Sequence, residues 1–247
     1  MIINKTKGLI AAPFTGMDSD GKINVKNVSS YADHLKKMQV KGVFVAGTTG
    51  EGMLMTDNER LEVIEAWISQ KSDDFRVIVH AGSTSISSAK LLASESARLG
   101  AEAIGIMGPP FLAPKGVNEL VEFSKDVALS APELPFYYYH IPALSGVDFP
   151  MSEYLDVAKN KIPNLAGIKF TDNNFMEMTK CISMDNGKWD ILHGYDELLL
   201  AGLSFGASGA VGSTYNFMAP LYYGIIEDFE NGNIVEAREK QRKSIEV

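Results

Sequence analysis

Hydrophobic positions alternate along the chain between two periodicities. Short apolar runs near 8–14 (GLIAAPF), 42–47 (GVFVAG), 76–82 (RVIVHAG), 103–108 (AIGIMG), 135–141 (PFYYYHI), 165–171 (LAGIKFT), 189–194 (WDILHG) and 207–212 (ASGAVG) predict eight strands. Between them, apolar positions three and four apart predict helices near 27–39, 56–71, 86–99, 116–130, 151–160, 173–183, 196–203 and 216–230, with Thr56 and Ser152 placed as N-terminal caps. A ninth helical pattern covers 233–247 (NIVEAREKQRKSIEV). Strand and helix in strict alternation imply a parallel sheet covered by its crossovers, hence an α/β fold. Eight such repeats predict a closed (β/α)8 TIM barrel. A doubly wound open sheet is the alternative. It normally carries a glycine-rich phosphate loop after its first strand, and the turn here, PFTGMDSDG, is not one.

Composition narrows the picture by exclusion. With 45% hydrophobic and 22% charged residues in 247, the chain can bury a large core as one domain. No apolar stretch approaches a membrane span, and the N-terminus MIINKTKGLI lacks a signal-peptide apolar segment, so a cytoplasmic location is expected. A single cysteine, Cys181, offers no internal disulfide. Four scattered histidines, His34, His80, His140 and His193, lack metal-ligand spacing, so no structural metal is expected. The net charge of −8, with no basic stripe, argues against nucleic acid and leaves a small-molecule substrate.

One residue breaks the apolar pattern. Lys169 lies inside NLAGIKFTD (164–172), which otherwise reads as a buried strand. Strict alternation puts Leu165, Gly167, Lys169 and Thr171 on one face and Ala166, Ile168 and Phe170 on the other, towards the helices. Lys169 and Thr171 then face the barrel axis at the C-terminal end of the sixth strand, where barrel active sites sit, and Gly167 leaves room for the lysine stem. Two readings stand. The lysine pairs with a buried carboxylate, or slips to the rim; strand six supplies no acid before Asp172. Alternatively it is a desolvated amine that attacks a ketone to form a Schiff base.

A Schiff-base lysine needs a proton relay and a carboxylate cradle. In FYYYHIPALSG (136–146) the same alternation turns Tyr139 inward, although aromatic runs in strands are usually packing. In AGTTGEG (46–52), Thr48 and Thr49 stand between Gly47 and Gly50, a possible carboxylate cradle and equally an ordinary turn.

Together, GTTGEG (47–52), YYYHIPALSGV (137–147), GIKFTD (167–172), GYDE (194–197) and GASGAVGSTYN (206–216) resemble, in order and over nearly the whole chain, the dihydrodipicolinate synthase / N-acetylneuraminate lyase family of pyruvate-dependent class I aldolases. The resemblance implies that Lys169 forms the Schiff base with C2 of pyruvate and Tyr139 relays the proton. It implies that Thr48 and Thr49 hold the pyruvate carboxylate, and that Thr171, Gly194, Asp196, Glu197 and Ser213 contact the sugar portion. No metal or organic cofactor is implied, and a homotetramer is.

Within the family, the synthases usually carry an arginine after the tyrosine-x-x-proline turn. Here that turn is Pro142-Ala143-Leu144-Ser145, which lacks the bidentate clamp an acidic acceptor needs. Asp196 and Glu197 instead suit a polyol, or cap the seventh helix, or do both. The synthases also place a second tyrosine after strand four. This chain has Phe111 and Leu112 in GPPFLAPK. The expected reaction is therefore retro-aldol cleavage of N-acetylneuraminate to N-acetylmannosamine and pyruvate. A sibling aldolase for another 2-keto-3-deoxy sugar acid, and an inactive sugar-acid-binding protein, are the alternatives. The resemblance also implies a catalytic barrel over 1–230, with 231–247 the start of a C-terminal helical extension, apparently truncated, since relatives continue for about two or three further helices.

Overall fold

Residues 3–247 are described by a computed structural model, in which the eight expected strands form one closed parallel barrel in chain order. They are β1 (Gly8–Ala11), β2 (Gly42–Val45), β3 (Arg76–His80), β4 (Ala103–Met107), β5 (Phe136–His140), β6 (Leu165–Phe170), β7 (Asp190–His193) and β8 (Gly209–Gly212). The covering helices are α1 (Val28–Lys37), α2 (Asp57–Ile68), α3 (Ile86–Leu99), α4 (Val117–Ala128), α5 (Pro142–Ser145), α6 (Met151–Ala158), α7 (Phe175–Gly187), α8 (Leu199–Ser204), α9 (Tyr215–Glu230) and α10 (Ile234–Ile245). Among the described residues no helix is long and apolar enough to cross a membrane. The pattern missed the four-residue α5 and a 3-10 turn at Gly52–Leu54, both too short to show periodicity.

Strand alternation sorts the core into two compartments. Ile10, Phe44, Ile78, Tyr137, Tyr139, Leu192 and Val211 fill the barrel, while Leu9, Val43, Val45, Val77, Val79, Ile104, Tyr138 and Ile168 pack outward against the helices. In β6 the alternation breaks. Ala166 belongs to the barrel interior and Leu165 to the outer layer, the reverse of what strict alternation predicts. The cause is a register shift against β5, where Phe136 pairs with Leu165 but the next residue, Tyr137, pairs with Gly167. Gly167 has a different role from the expected one. A Cβ there would stand 1.8 Å from the Asp190 carbonyl oxygen, so the glycine admits the β7 backbone rather than the lysine stem.

Local signals explain the helix ends. Thr56 caps α2 through a capping box, its hydroxyl accepting from the Glu59 amide while Glu59 accepts from the Thr56 amide. Ser152 does not cap. It lies inside α6, after Pro150, and its amide donates to Glu177 Oε1 at 2.7 Å. Regular helix in α7 stops at 183, because Met184, Asp185 and Asn186 leave helical geometry.

Polar groups close the floor of the barrel and brace its mouth. At the floor, buried Asp190 accepts from the Thr6 amide (3.1 Å), the Thr6 hydroxyl (2.8 Å) and Tyr137 (2.9 Å), and burial still holds its carboxyl above the ordinary range. Nearer the mouth, His80 sits fully inside, its Nδ1 3.2 Å from the Ala46 carbonyl and its Nε2 3.3 Å from the Met107 amide. That pair of contacts requires a neutral ring donating from Nδ1 and accepting at Nε2, and it ties β2, β3 and β4 together.

Burial, with the charges of Arg60 and Lys169, pushes the His80 imidazole down to about 3. The unfolded chain takes up this proton below about pH 6.5, whereas the folded chain holds it off until about pH 3. Stability is therefore intact above the free-imidazole value and falls as pH drops below it, by at most about 1.4 kcal/mol per pH unit from this group. Thermal unfolding between about pH 4 and 7 should show a flatter profile for His80→Gln than for the parent; parallel profiles would remove His80 from the acid sensitivity.

Candidate active site

The mouth at the C-terminal strand ends opens into a cavity of about 540 Å³. All nine residues singled out from the sequence line it: Lys169, Tyr139, Thr48, Thr49, Thr171, Gly194, Asp196, Glu197 and Ser213. They arrive on five different strand ends, which is how a barrel converges side chains distant in sequence.

Lys169 is 5% exposed, and its Nζ lies 3.6 Å from the centroid of the Tyr139 ring and 4.5 Å from that of Phe44. It is the one cation among the described residues lining the cavity. The buried ion pair that the sequence left open is not formed: among the described residues no carboxylate pairs with this ammonium, and the two π faces solvate it instead. Phe44 and Tyr139 meet edge to face at 5.5 Å, which fixes both rings around the amine.

Tyr139 Oη is 3.3 Å from Thr48 Oγ1. Burial alone would raise this phenol, but the Lys169 charge and the Thr48 hydrogen bond outweigh it, and the net shift is below the ordinary value. A phenol so placed exchanges protons with its surroundings more readily than a free tyrosine. Thr171 adds a buried hydroxyl without a hydrogen-bond partner in the protein. A Cβ at residue 194 would fall 1.9 Å from that hydroxyl, so Gly194 is what lets β7 approach Thr171.

The turn after β2 is built by close approach. Ala46 and Glu51 have positive φ (54° and 57°), and a Cβ on Gly52 would meet the Ala46 carbonyl oxygen at 1.9 Å. Thr15 Oγ1 donates to the Gly50 carbonyl at 2.6 Å. The fold of the turn delivers Thr49 Oγ1 to within 2.7 Å of Ser213 Oγ, so strands β2 and β8 contribute to one hydroxyl cluster facing Lys169 across the cavity.

Asp196 and Glu197 differ. Asp196 is buried, and its Oδ2 accepts from the Thr214 amide (2.7 Å) and hydroxyl (2.5 Å). It anchors the start of α9 rather than capping its own helix, and one of its two oxygens is thereby committed. Glu197 stands at the exposed rim, and partial desolvation with the Asp196 charge raises its carboxyl above the ordinary value.

Sequence reasoning missed part of the wall. Tyr195, Thr214 and Tyr222 line the cavity, and so do Ser244 and Ile245 of α10. Gln241 holds α10 there: its Oε1 accepts from the Leu200 amide at 2.8 Å and its Nε2 donates to the Asp196 carbonyl at 3.2 Å. Tyr195 was legible, lying between Gly194 and Asp196; the α10 contribution needed the three-dimensional path.

A family profile described as the dihydrodipicolinate synthetase family matches residues 5–247. The chain belongs to this family. Among curated family relatives, N-acetylneuraminate lyase of Xenopus tropicalis is 46% identical over 241 residues, covering 96% of this chain and 78% of the relative. The Homo sapiens protein of the same name is 42% identical, covering 92% and 72%. Among solved structures, N-acetylneuraminate lyase of Proteus mirabilis superposes with a TM-score of 0.95 at 40% identity, covering 98% of this chain and 82% of that one. The match runs through all eight strands and on through α10.

Asp196 yields a stability test. Asp196→Ala strands the buried Thr214 amide and leaves the Thr214 hydroxyl with Tyr222 Oη alone, and should cost about 1–3 kcal/mol, read by urea unfolding, against a much smaller loss for Glu197→Ala at the rim. Equal losses would deny Asp196 its anchoring role.

Proposed function

We propose that this chain is an N-acetylneuraminate lyase, cleaving the open-chain sugar acid to N-acetylmannosamine and pyruvate through a Schiff base on Lys169. The observation that carries the reading is the amine itself: a buried, unpaired lysine 3.6 Å from the face of Tyr139, at the wall of a cavity large enough for a nine-carbon sugar acid. The relatives of the same name, at 42% and 46% identity, support it.

In this mechanism the substrate carboxylate lies against Thr48 and Thr49, and neutral Lys169, its ammonium proton given up to solvent in the cavity, attacks C2 to give a carbinolamine. Loss of water leaves a protonated imine, an electron sink. Tyr139, helped by the substrate carboxylate, takes the proton from the C4 hydroxyl; the C3–C4 bond breaks, its electron pair flows into the imine, and N-acetylmannosamine leaves as the aldehyde. The remaining enamine is protonated at C3 and hydrolysed, releasing pyruvate and restoring the amine. The positive charge of the resting ammonium returns at the same nitrogen in the iminium, so the field that lowers the Tyr139 phenol acts again at the step in which the C4 proton leaves. Thr171, Gly194, Asp196, Glu197 and Ser213 would contact the sugar portion.

The reading includes a homotetramer in the cytoplasm. Self-association is supported by exposed Leu54 and Leu144, which line an apolar groove of about 310 Å³ with Thr48 of the mouth, and by exposed Phe111 and Leu112, which follow Pro110 of the same groove in the chain.

Borohydride with pyruvate should add a reduced pyruvyl group to Lys169, and Lys169→Met should lose both the adduct and cleavage. Mass mapping to another lysine, or no adduct, would overturn the assignment. Tyr139→Phe should keep the adduct but slow cleavage by roughly 10² to 10⁴; near-normal turnover would exclude it from the relay.

Specificity gives an independent test. Leu144 occupies the turn where a clamping arginine would stand, and the mouth carries carboxylates. In the condensation direction kcat/KM should favour N-acetylmannosamine over aspartate semialdehyde, and the opposite preference would move the chain to the synthase branch.

A further inference from the structure

Three residues that no spacing rule connects, His140, Asp148 and Asp172, meet outside the barrel interior. One donor atom from each lies within 4.8 Å of the other two. They line a separate cavity of about 260 Å³ with Phe149, Asn174 and Glu177. His140 ends β5 on the face opposite Tyr139, Asp148 follows α5, and Asp172 comes directly after Thr171.

The imidazole is the unexplained part. His140 is 3% exposed, and its Nε2 faces Asp172 Oδ2 from 3.8 Å, too far for a hydrogen bond and with no other partner among the described residues. Buried polar groups in folded proteins nearly always find a partner. The carboxylates are available to different degrees. Asp148 is exposed, and Asp172 Oδ1 accepts from the Asn174 amide at 2.9 Å while Oδ2 faces the histidine. Glu177 is committed elsewhere, to the Ser152 amide at 2.7 Å and Lys180 at 3.4 Å.

The geometry points to a divalent-cation site of the zinc class, formed by His140 Nε2 and one oxygen each of Asp148 and Asp172, with water completing the shell. An imidazole with two carboxylates suits zinc better than the all-oxygen shells of calcium or magnesium. Metal–ligand bonds of about 2.0–2.2 Å place tetrahedral ligands roughly 3.3–3.6 Å apart, a contraction that rotation of the two aspartates supplies. The site lies outside the Schiff-base chemistry. It joins the connection after β5 to the one after β6, and the Thr171 amide already donates to the His140 carbonyl at 2.8 Å. A bound ion would therefore stiffen the two segments that carry Tyr139 and Thr171 to the mouth.

The test needs no assay of turnover. The full chain, stripped with EDTA, is titrated with zinc chloride by calorimetry, and the unfolding midpoint is followed with and without the ion. One equivalent should bind and raise the midpoint. Asp148→Asn, remote from the Schiff-base machinery, should weaken that binding at least tenfold, and the double variant with Asp172→Asn should abolish it. His34→Gln, at the exposed histidine of α1, should leave it intact. Absence of saturable binding, binding undiminished in Asp148→Asn, or binding lost in His34→Gln would each overturn the site.

Discussion

A buried ammonium without a counter-ion is the constraint around which the mouth of this barrel is arranged. Removing a cation from water costs several kcal/mol unless something replaces the hydration. A carboxylate would do so most cheaply, but it would also hold the amine as an ion pair and block a nucleophile. Here the replacement is the negative face of two rings, Tyr139 and Phe44, together with the open cavity. Other features then follow. Tyr139 must be inward at the strand end, Phe44 must meet it edge to face, and the remaining barrel residue beside them, His80, must stay neutral because a second charge there would have no partner.

The same arrangement sorts charge along the approach to the amine. One cation, buried Lys169, shares the cavity lining with hydroxyls and with the carboxylates of Asp196 and Glu197, of which Glu197 stands at the exposed rim. An anion is thus drawn to the lysine and repelled beside the two carboxylates. Asp196 contributes to this field while spending one oxygen on Thr214, so its part in any ligand contact is limited to what remains of the carboxylate.

Much of this was legible in the sequence because it depends on period-two alternation and strand order. Alternation places Lys169 and Thr171 on the axis, and Tyr137 and Tyr139 together, without knowledge of the fold's details. What alternation cannot show is a slip in pairing. The register shift at Ala166 leaves Lys169 inward while reversing the two residues at the start of β6, since a bulge resets the phase. Close approach is likewise invisible: Gly167 reads as room for the lysine stem and Gly194 as a sugar contact, and neither reading shows that each glycine admits a neighbouring strand. Groups joined only by the path of the chain, such as Asp196 with Thr214 or His140 with Asp148, carry no one-dimensional signal.

The two hydrogen bonds of Gln241 make α10 part of the mouth as well as part of the outer layer. Local opening of a helix that only packs outside a barrel is independent of events at the centre. Opening α10 breaks contacts to the Asp196 carbonyl and the Leu200 amide and removes Ser244 and Ile245 from the cavity wall. Fraying of this helix and occupancy of the cavity are therefore linked equilibria, each disfavouring the other by the same free energy. Amide hydrogen exchange along α10 becomes a gauge of whether the barrel is full, read some distance from the lysine at its centre.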